Sequence, residues 1–363
     1  MNTLVKTLKV RVKDSKTSVL ERMAFEVNQV WNAANAITSD YGYVPVPGVG
    51  WVSNRFSAFD IQKHVLGIRE QRGLIIPSHT LQETVAVHAK SRKQFKTDKL
   101  RWRVSGGSRR ALGWIPFKKG SAKWKGGQVY FAGHYFKVWD SYGLSQYEFR
   151  SGSFTQDARG RWYFNVAVEV AVQESTATGQ IGIDLGLKTT AVCSDGTVLN
   201  RSEYYRKMEN KLAKAQRANK KRQVKTIHAK VKNQRADTNH KFSTKLVKEN
   251  ALIVVGNVSS SKLAKTKMAK SVLDAGWYQL KQQLDYKSKA MQGLYIEVNE
   301  AYSTQVCSCC GCISDSSPKG RAGLNKRNWT CSECGVEHDR DLNSAANILR
   351  LGHQTLAVGI PVL

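Results

Sequence analysis

Seven cysteines occur in 363 residues, and six of them fall between Cys307 and Cys334. Four belong to two near copies of one short form, Cys307-Ser-Cys-Cys310-Gly311 and Cys331-Ser-Glu-Cys334-Gly335. Each is a C-x2-C-G knuckle, in which the glycine leaves room for backbone N–H groups to turn toward the thiolates. Two knuckles with a 20-residue spacer supply four soft sulfur ligands to one tetrahedral zinc ion. A shell closed by four thiolates leaves no place for water, so the expected role is structural. Cys309 and Cys312 offer an alternative C-x2-C, but they lack the form of the second knuckle and read as bystanders. The start of the chain, "MNTLVKTLKVRVKD", is no signal peptide, and clustered cysteines in that context argue for metal over a disulfide framework.

Hard oxygen ligands lie elsewhere, on Asp184 and Asp341. Taken singly, strand-end and helix-cap aspartates are common, so the elements that carry them decide their meaning. "RWYFNVAVEVAV" alternates apolar residues from Trp162 to Val172 and reads as a strand. In "QIGIDLGLKTTAVCSDGTVLN", Ile181 and Ile183 lie on a strand with Asp184 near its end. Ala191 to Cys193 forms a second strand, with Cys193 buried, and Asp195-Gly196 is a hairpin signal. Residues 252–255 are the next strand, 270–292 a helix with Val272, Trp277, Leu280 and Leu284 on its apolar side, and 294–298 another strand. "DRDLNSAANILRLG" makes a final helix that Gly352 is expected to stop. The order of three strands, helix, strand, helix, strand, helix suits a mixed sheet covered on both faces, as in a ribonuclease-H-like domain.

In such a sheet Asp184 and Asp341 converge, and shared carboxylates hold two Mg²⁺ ions for phosphodiester hydrolysis. A third carboxylate is normally needed from the end of the strand beside Asp184. That place is taken by Gly256, in "ALIVVGNVSSSKL".

Lys and Arg number 57 against 28 acids, a formal net charge of +29. An excess of this size makes a polyanion the default partner and exceeds what an enzyme of neutral metabolites needs. No apolar run approaches the ~18 residues of a spanning helix, so the expectation is a cytoplasmic bacterial protein with access to the nucleoid and no membrane partner. Residues 90–125 hold 13 basic side chains and one acid, interleaved with Phe95, Trp102, Trp114, Phe117 and Trp124. Cations suit phosphates and aromatic faces suit unpaired bases. Lys93, Arg101, Arg103, Arg109, Arg110, Lys118, Lys119, Lys123 and Lys125 are the candidates there. Residues 201–250 carry 16 Lys/Arg and 4 acids without Pro or Gly. They read as one long helix or a helical hairpin gripping a phosphate backbone, with Arg217, Lys220, Lys221 and Arg222 as candidates. Nearer the N-terminus, Leu8, Val10 and Val12 alternate with Lys9, Arg11 and Lys13 on a half-exposed strand. Ser18 and Glu21 then have capping-box spacing ahead of a helix, and a second helix is expected over 80–95.

"IGIDLGLKTTAV", "SVLDAGWYQLKQQLDYKSKAMQGLYIEVNEAYSTQVCSCCG" and "WTCSECGVEHDRDLNSAANIL" together resemble the TnpB (OrfB) family of bacterial insertion sequences, which is related to the type V CRISPR effector nucleases. The resemblance is specific over 181–349 and softer toward the N-terminus, where length, basic character and "IPFK" fit. It implies an α/β RuvC nuclease domain (ribonuclease-H-like) with an inserted zinc ribbon. It also implies an N-terminal β-barrel-like wedge domain with an inserted helical recognition domain. The implied boundaries are a wedge strand at 1–15, the helical domain at 16–100, the rest of the wedge at 101–175, the nuclease at 176–302, the four-cysteine zinc domain at 303–336 and the nuclease again at 337–363.

The activity implied is RNA-guided, Mg²⁺-dependent cleavage of double-stranded DNA beside a short target-adjacent motif. One chain would serve each guide RNA, which is transcribed from the element's end, and base pairing would do most of the sequence reading. Carried over by motif, Asp184 is the first RuvC acid and Asp341 the last. The middle acid usually sits in an apolar–apolar–Glu–x–Leu motif, which here reads Val254-Val255-Gly256-Asn257-Val258. Either the protein is a nuclease-inactive guided DNA binder, repressor-like, or the acid has moved.

Glu297 lies within the strand "LYIEV" and Glu300 follows its end, at a point where many members resemble "V-D-P-R-Y-T-S" and carry no acid at that position. Neighbouring strand ends lie roughly 5 Å apart, a gap that a glutamate spans and that Gly256 leaves open. The expected set is therefore Asp184, Glu300 and Asp341, serving as both catalytic residues and magnesium ligands. His338, Asp339, Asn343, His240 and Ser243 are secondary candidates for contact with the site or a phosphate. A general nucleic-acid-binding protein without guide specificity is the third reading.

Overall fold

Alternation along the first strand and along the strand ending near Ala171 decides the N-terminal architecture. In the computed structural model, which describes residues 3–39, 43–46, 50–53, 56–172, 175–320 and 322–358, these two strands are Thr3–Val12 and Trp162–Ala171, paired antiparallel. Leu8, Val10 and Val12 from one, and Trp162, Phe164, Val166 and Val168 from the other, face inward and are fully or nearly fully buried. The sheet runs Trp114–Phe117, Gly152–Gln156, Trp162–Ala171, Thr3–Val12, Val138–Trp139. Helices Thr17–Ser39 and Ser78–Phe95 add their apolar faces to the same core. The first helix is not entered through Ser18 and Glu21. A 3-10 turn at Asp14–Lys16 feeds straight into it, and Thr17 Oγ1 donates to the Asp14 carbonyl at 3.1 Å, so the chain has already turned before Ser18.

The chain divides into two compact units, Thr3–Ala171 and a second that begins at Val172. The second is built on a five-stranded sheet, in the order Val198–Asn200, Thr189–Cys193, Gly179–Asp184, Asn250–Gly256, Leu294–Val298. The first three strands pair antiparallel and the last two join in parallel. This is the ribonuclease-H-like arrangement. Its central strand reads as a continuous apolar run because both faces are covered: Ile253 and Val255 point into one core, Leu252 and Val254 into the other.

Residues 201–250 form a hairpin of two helices, Tyr204–Arg217 and Lys221–Glu249. Leu212, Ala215 and Ile227 seal them together. The break falls at Asn219, which takes a left-handed φ of 49°. The helix expected over 270–292 is also broken, into Ala269–Ala275 and Trp277–Ala290. Gly276 turns the chain between them at φ 69°.

The last helix corrects the sequence reading. It runs Arg340–Ala357, straight through Gly352. A Cβ at Gly352 would lie 2.4 Å from Val254 Cγ2, and one at Gly182 would lie 2.1 Å from the Ala345 carbonyl. Both glycines are therefore close-approach positions that let the helix lie directly on the sheet. That contact sets its first turn beside the end of the Asp184 strand. Among the described residues no helix is long and apolar enough to cross a membrane.

Candidate active site and zinc centre

Parallel pairing brings three chain positions to one end of the sheet's strands. Ile183 is opposite Val255, and Gly256 is opposite Val298. Asp184 ends its strand beside the Gly256 strand, and Glu300 follows just beyond Val298. A Cβ built on Gly256 would sit 2.0 Å from Glu300 Oε2 and 3.1 Å from Glu300 Cβ and Cδ. The glutamate from the neighbouring strand thus fills the space that a side chain at 256 would need. Its Oε2 is buried without a hydrogen-bond partner. Burial raises the Glu300 pKa, against the pull of Lys281 and a hydrogen bond from the Val258 backbone. Glu297 does not share this place. Lys281 Nζ donates to it at 2.6 Å and the Tyr295 hydroxyl at 2.9 Å.

Asp184 is pushed up to about 7. Burial is the main cause; the Asp341 and Glu300 charges add to it, while a hydrogen bond from Ser344 and the nearby Arg340 oppose it. Asp184 therefore feels the charge of both other acids. Asp341 is held aside by two guanidiniums: Arg340 Nε and Nη2 donate to Oδ1 at 3.1 and 3.0 Å, and Arg327 Nη1 donates to Oδ2. Arg327 arrives by hairpin register. Asn328 pairs with Asp339, and the Arg340 amide donates to the Arg327 carbonyl at 2.7 Å. The oxygen donors, the unpartnered Glu300 oxygen and the crowded negative charge fit a hard divalent cation.

Among the described residues, the four cysteines are the only set of three or more metal-ligand groups whose atoms all lie within 4.8 Å of one another. The three carboxylates are not drawn together that tightly. Cys307 and Cys334 sulfurs are 3.7 Å apart, and those of Cys310 and Cys331 3.8 Å. A tetrahedron with ~2.3 Å zinc–sulfur bonds has edges of about 3.8 Å, so the four residues fit zinc. The two knuckles repeat one backbone pattern. Gly311 N donates to the Cys307 carbonyl and Gly335 N to that of Cys331, while the Cys307 and Cys331 amides donate to the carbonyls of Cys312 and Val336. Gly311 and Gly335 have φ of 80° and 72°, the left-handed conformation that glycine adopts most readily. Cys309 and Cys312 are exposed, and Cys193 is buried with its thiol pushed up to about 12, chiefly by burial.

Asp339, Asn343 and Ser243 have structural occupations, His338 lies by the cysteines, and His240 is engaged through its backbone carbonyl. Asp339 caps the last helix, accepting from the amides of Asp341 and Leu342, each at 2.9 Å. His338 Nε2 lies 3.0 Å from Cys307 Sγ, beside the cysteine cluster. Asn343 does not orient Asp341. It donates to the Val306 carbonyl at 2.8 Å and accepts from the Ser308 amide at 2.8 Å. Ser243 is buried, and Lys287 donates to it at 2.7 Å and to the His240 carbonyl at 2.9 Å.

Of the basic candidates, Lys93, Arg101, Arg109, Lys123, Lys125, Arg217, Lys220, Lys221 and Arg222 are exposed. Arg110, Lys118 and Lys119 are exposed but engaged, by Gln156, Gln82 and Glu148 respectively. Arg103 is engaged inside its unit. It donates to Asn28 at 2.6 Å and to the Leu112 carbonyl at 2.9 Å, and lies over the rings of Trp31 and Trp114. Of the interleaved aromatics, Phe95 and Trp102 are exposed and Phe117 is core.

Comparison with known proteins places this arrangement. A family model described as Cas12f1-like, TNB domain, matches residues 277–348, and the IS605 OrfB model, described as a probable transposase, matches 163–267. A protein of Streptomyces pristinaespiralis named putative RNA-guided DNA endonuclease is 35% identical over 221 residues, 56% of this chain and 53% of its own length. The putative RNA-guided DNA endonuclease InsQ of Escherichia coli (strain K12) is 30% identical over 230 residues, 55% of this chain and 56% of its own. Over these segments the chain is similar to the TnpB (OrfB) family. The chain spans about half the length of these curated relatives. The fold is also that of a Cas12f1 chain in a cryo-EM structure of a Cas12f1–sgRNA–target DNA complex. The TM-score is 0.57 at 11% identity, covering 96% of this chain and 99% of that one. The TNB-domain match contains Glu300, the four cysteines and Asp341, and the transposase match contains Asp184 and Gly256.

Four residues at the site escaped the sequence reading: Arg327, Arg340, Ser344 and Lys281. Ser344 follows Asp341 at helical i,i+3 spacing, a signal that places both on one face. Arg327 carries no such signal, because only the register of a hairpin brings it to Asp341.

Proposed function

We propose that this chain is an RNA-guided, Mg²⁺-dependent DNA endonuclease of a transposable element, with Asp184, Glu300 and Asp341 as its catalytic carboxylates. The observation that carries the reading is the Glu300 carboxylate packed against Gly256, at the strand end where a middle acid is needed. Bound Mg²⁺ would supply Lewis-acid stabilisation of the phosphodiester and a water activated for attack. The protein's own part is to hold that chemistry in register. Asp184 and Glu300 would present oxygens from the ends of the two strands that flank the Gly256 strand, and Asp341 its own from the first turn of the last helix. Arg327 and Arg340 hold Asp341 and add positive charge where a phosphate must be balanced. The cysteine cluster, loaded with zinc, would brace the segment between Glu300 and Asp341.

In the same reading residues 1–15 and 101–175 are the wedge, with its helical recognition insert at 16–100. Segments 176–302 and 337–363 are the nuclease, and 303–336 is the zinc domain. The relatives named RNA-guided DNA endonucleases, and the Cas12f1 complex with sgRNA and target DNA, support guide RNA and duplex DNA as partners. The exposed lysines and arginines of the two basic stretches would grip their phosphates.

The second reading, a guided binder that does not cut, is favoured by one observation: both Asp341 oxygens are taken by arginines. The test is to sequence the RNA that copurifies with the protein and supply a plasmid matched to its variable end. Cleavage with Mg²⁺ supports the endonuclease. Specific binding with no nicking in Mg²⁺ or Mn²⁺ supports the binder.

A further inference from the structure

A buried hydroxyl pair stands behind Asp184. Ser344 Oγ donates to Asp184 Oδ1 at 2.8 Å, and Ser303 Oγ lies 2.8 Å from Ser344 Oγ. The Ser344 proton is committed to the carboxylate, so Ser303 is the donor between the two hydroxyls. Both serines are out of solvent, with 4% of Ser303 and none of Ser344 exposed.

Their positions are fixed from the side of the last helix. Asn347 Nδ2 donates to the Ser303 carbonyl at 2.9 Å, and Asn347 and Asn343 both donate to the Val306 carbonyl, at 2.7 and 2.8 Å. Asn343 Oδ1 accepts from the Ser308 amide at 2.8 Å. The turn that leads from Glu300 into the first cysteine knuckle is thereby tied to the helix that carries Ser344. Neither serine touches the other two candidate carboxylates by any hydrogen bond among the described residues. The relay therefore acts on Asp184 alone.

We propose that Ser344, backed by Ser303, is the positioning residue that fixes the Asp184 carboxylate for a divalent cation. The proposal rests on the reading of Asp184, Glu300 and Asp341 as a cation-binding set. A carboxylate has two oxygens and turns freely about its last bond unless one is engaged. The Ser344 hydroxyl engages Oδ1, holds the plane of the group and leaves Oδ2 for the ion. Partners of this kind, one step removed from a metal, typically change its affinity 10–100-fold.

The experiment measures Mn²⁺ binding to the full, zinc-loaded chain by the electron paramagnetic resonance of free Mn²⁺. Asp184→Ala defines which signal belongs to the site. Ser344→Ala is expected to weaken that Asp184-dependent binding at least tenfold, with zinc content and thermal midpoint near wild type. Ser303→Ala is expected to cause a smaller loss, and no further loss when added to Ser344→Ala, because the relay is already cut. A Ser344→Ala affinity within twofold of wild type, where Asp184→Ala abolishes binding, overturns the inference and leaves the cation site standing. Binding that ignores Asp184→Ala overturns the cation site and the inference with it. Should Ser344→Ala not fold, unchanged affinity in Ser303→Ala overturns the relay.

Discussion

Gly256→Ala is the most economical perturbation of the site, because it adds one methyl group. That methyl would be built 2.0 Å from Glu300 Oε2, whereas ordinary contact begins at 3.4 Å. The carboxylate must therefore retreat by about 1.4 Å, or the strand ends must part by a similar amount. The oxygen is the far end of a flexible side chain, so it is the group that yields. Misplacing a reacting group by about 1 Å can cost on the order of 100-fold in rate, equivalent to about 2.7 kcal/mol of transition-state stabilisation. The same substitution should not harm the fold. Gly256 is not in the left-handed region, so alanine suits its backbone and reduces the freedom of the unfolded chain, a stabilisation of roughly 0.4–1 kcal/mol. The expected result is a pair of opposite readouts: cleavage of guide-matched DNA down by about two orders of magnitude, and a thermal midpoint unchanged or slightly raised. Guide-dependent DNA binding should survive. Cleavage within threefold of wild type by a folded Gly256→Ala protein would refute the argument that Glu300 works from the space at 256.

Other perturbations reach separate parts of the structure. Gly352→Ala would force a Cβ to 2.4 Å from Val254 Cγ2 inside the core; the expected cost is about 1–3 kcal/mol in urea unfolding, the usual range for overpacking. Asp184 has a folded pKa raised to about 7 from 3.8. Its favourable contribution is therefore present below the unfolded value and lost as pH rises through the folded one. In magnesium-free buffer, Asp184→Asn should gain stability over wild type between pH 5 and pH 8, by at most about 3 kcal/mol, from about two units between pH 5 and the folded pKa at ~1.4 kcal/mol per unit, and urea unfolding at both pH values checks it. Cys331→Ser should lose bound zinc and lower the thermal midpoint, whereas Cys309→Ser, at an exposed sulfur outside the cluster, should leave both unchanged by metal analysis and calorimetry.

The sheet was legible because alternation and apolar runs are local signals. Leu8 to Val12, Trp162 to Val168 and 252–255 all occupy the strands that their patterns call for. The cysteine centre was legible for a similar reason, since knuckle spacing and glycine position are written in short words. What escaped depends on tertiary contact. Gly352 follows a helical run and looks like a stop, yet its lack of a Cβ serves the approach to Val254. Gly276 breaks a helix whose apolar spacing continues across it. The hairpin over 201–250 was one of the two expected forms; only the place of its break, at Asn219 with neither glycine nor proline, carried no local signal. Arg103 looks like a surface cation in a basic stretch, but its guanidinium is taken up by Asn28 and two tryptophans. Arg327 reaches Asp341 only through the pairing of Asn328 with Asp339. The vacancy at 256 was visible in the sequence. The packing of Glu300 Oε2 against it is a structural observation.

Whether this protein cuts through a carboxylate supplied from the neighbouring strand comes down to Glu300. The direct measurement compares wild type and Glu300→Gln, each carrying its copurified guide RNA, on one matched plasmid with Mg²⁺, scoring cleavage and binding together. The expected result is cleavage by wild type, none by Glu300→Gln, and equal guide-dependent binding by both. Equal cleavage by the two proteins would contradict the assignment of Glu300, and binding without cleavage by wild type would contradict the endonuclease itself.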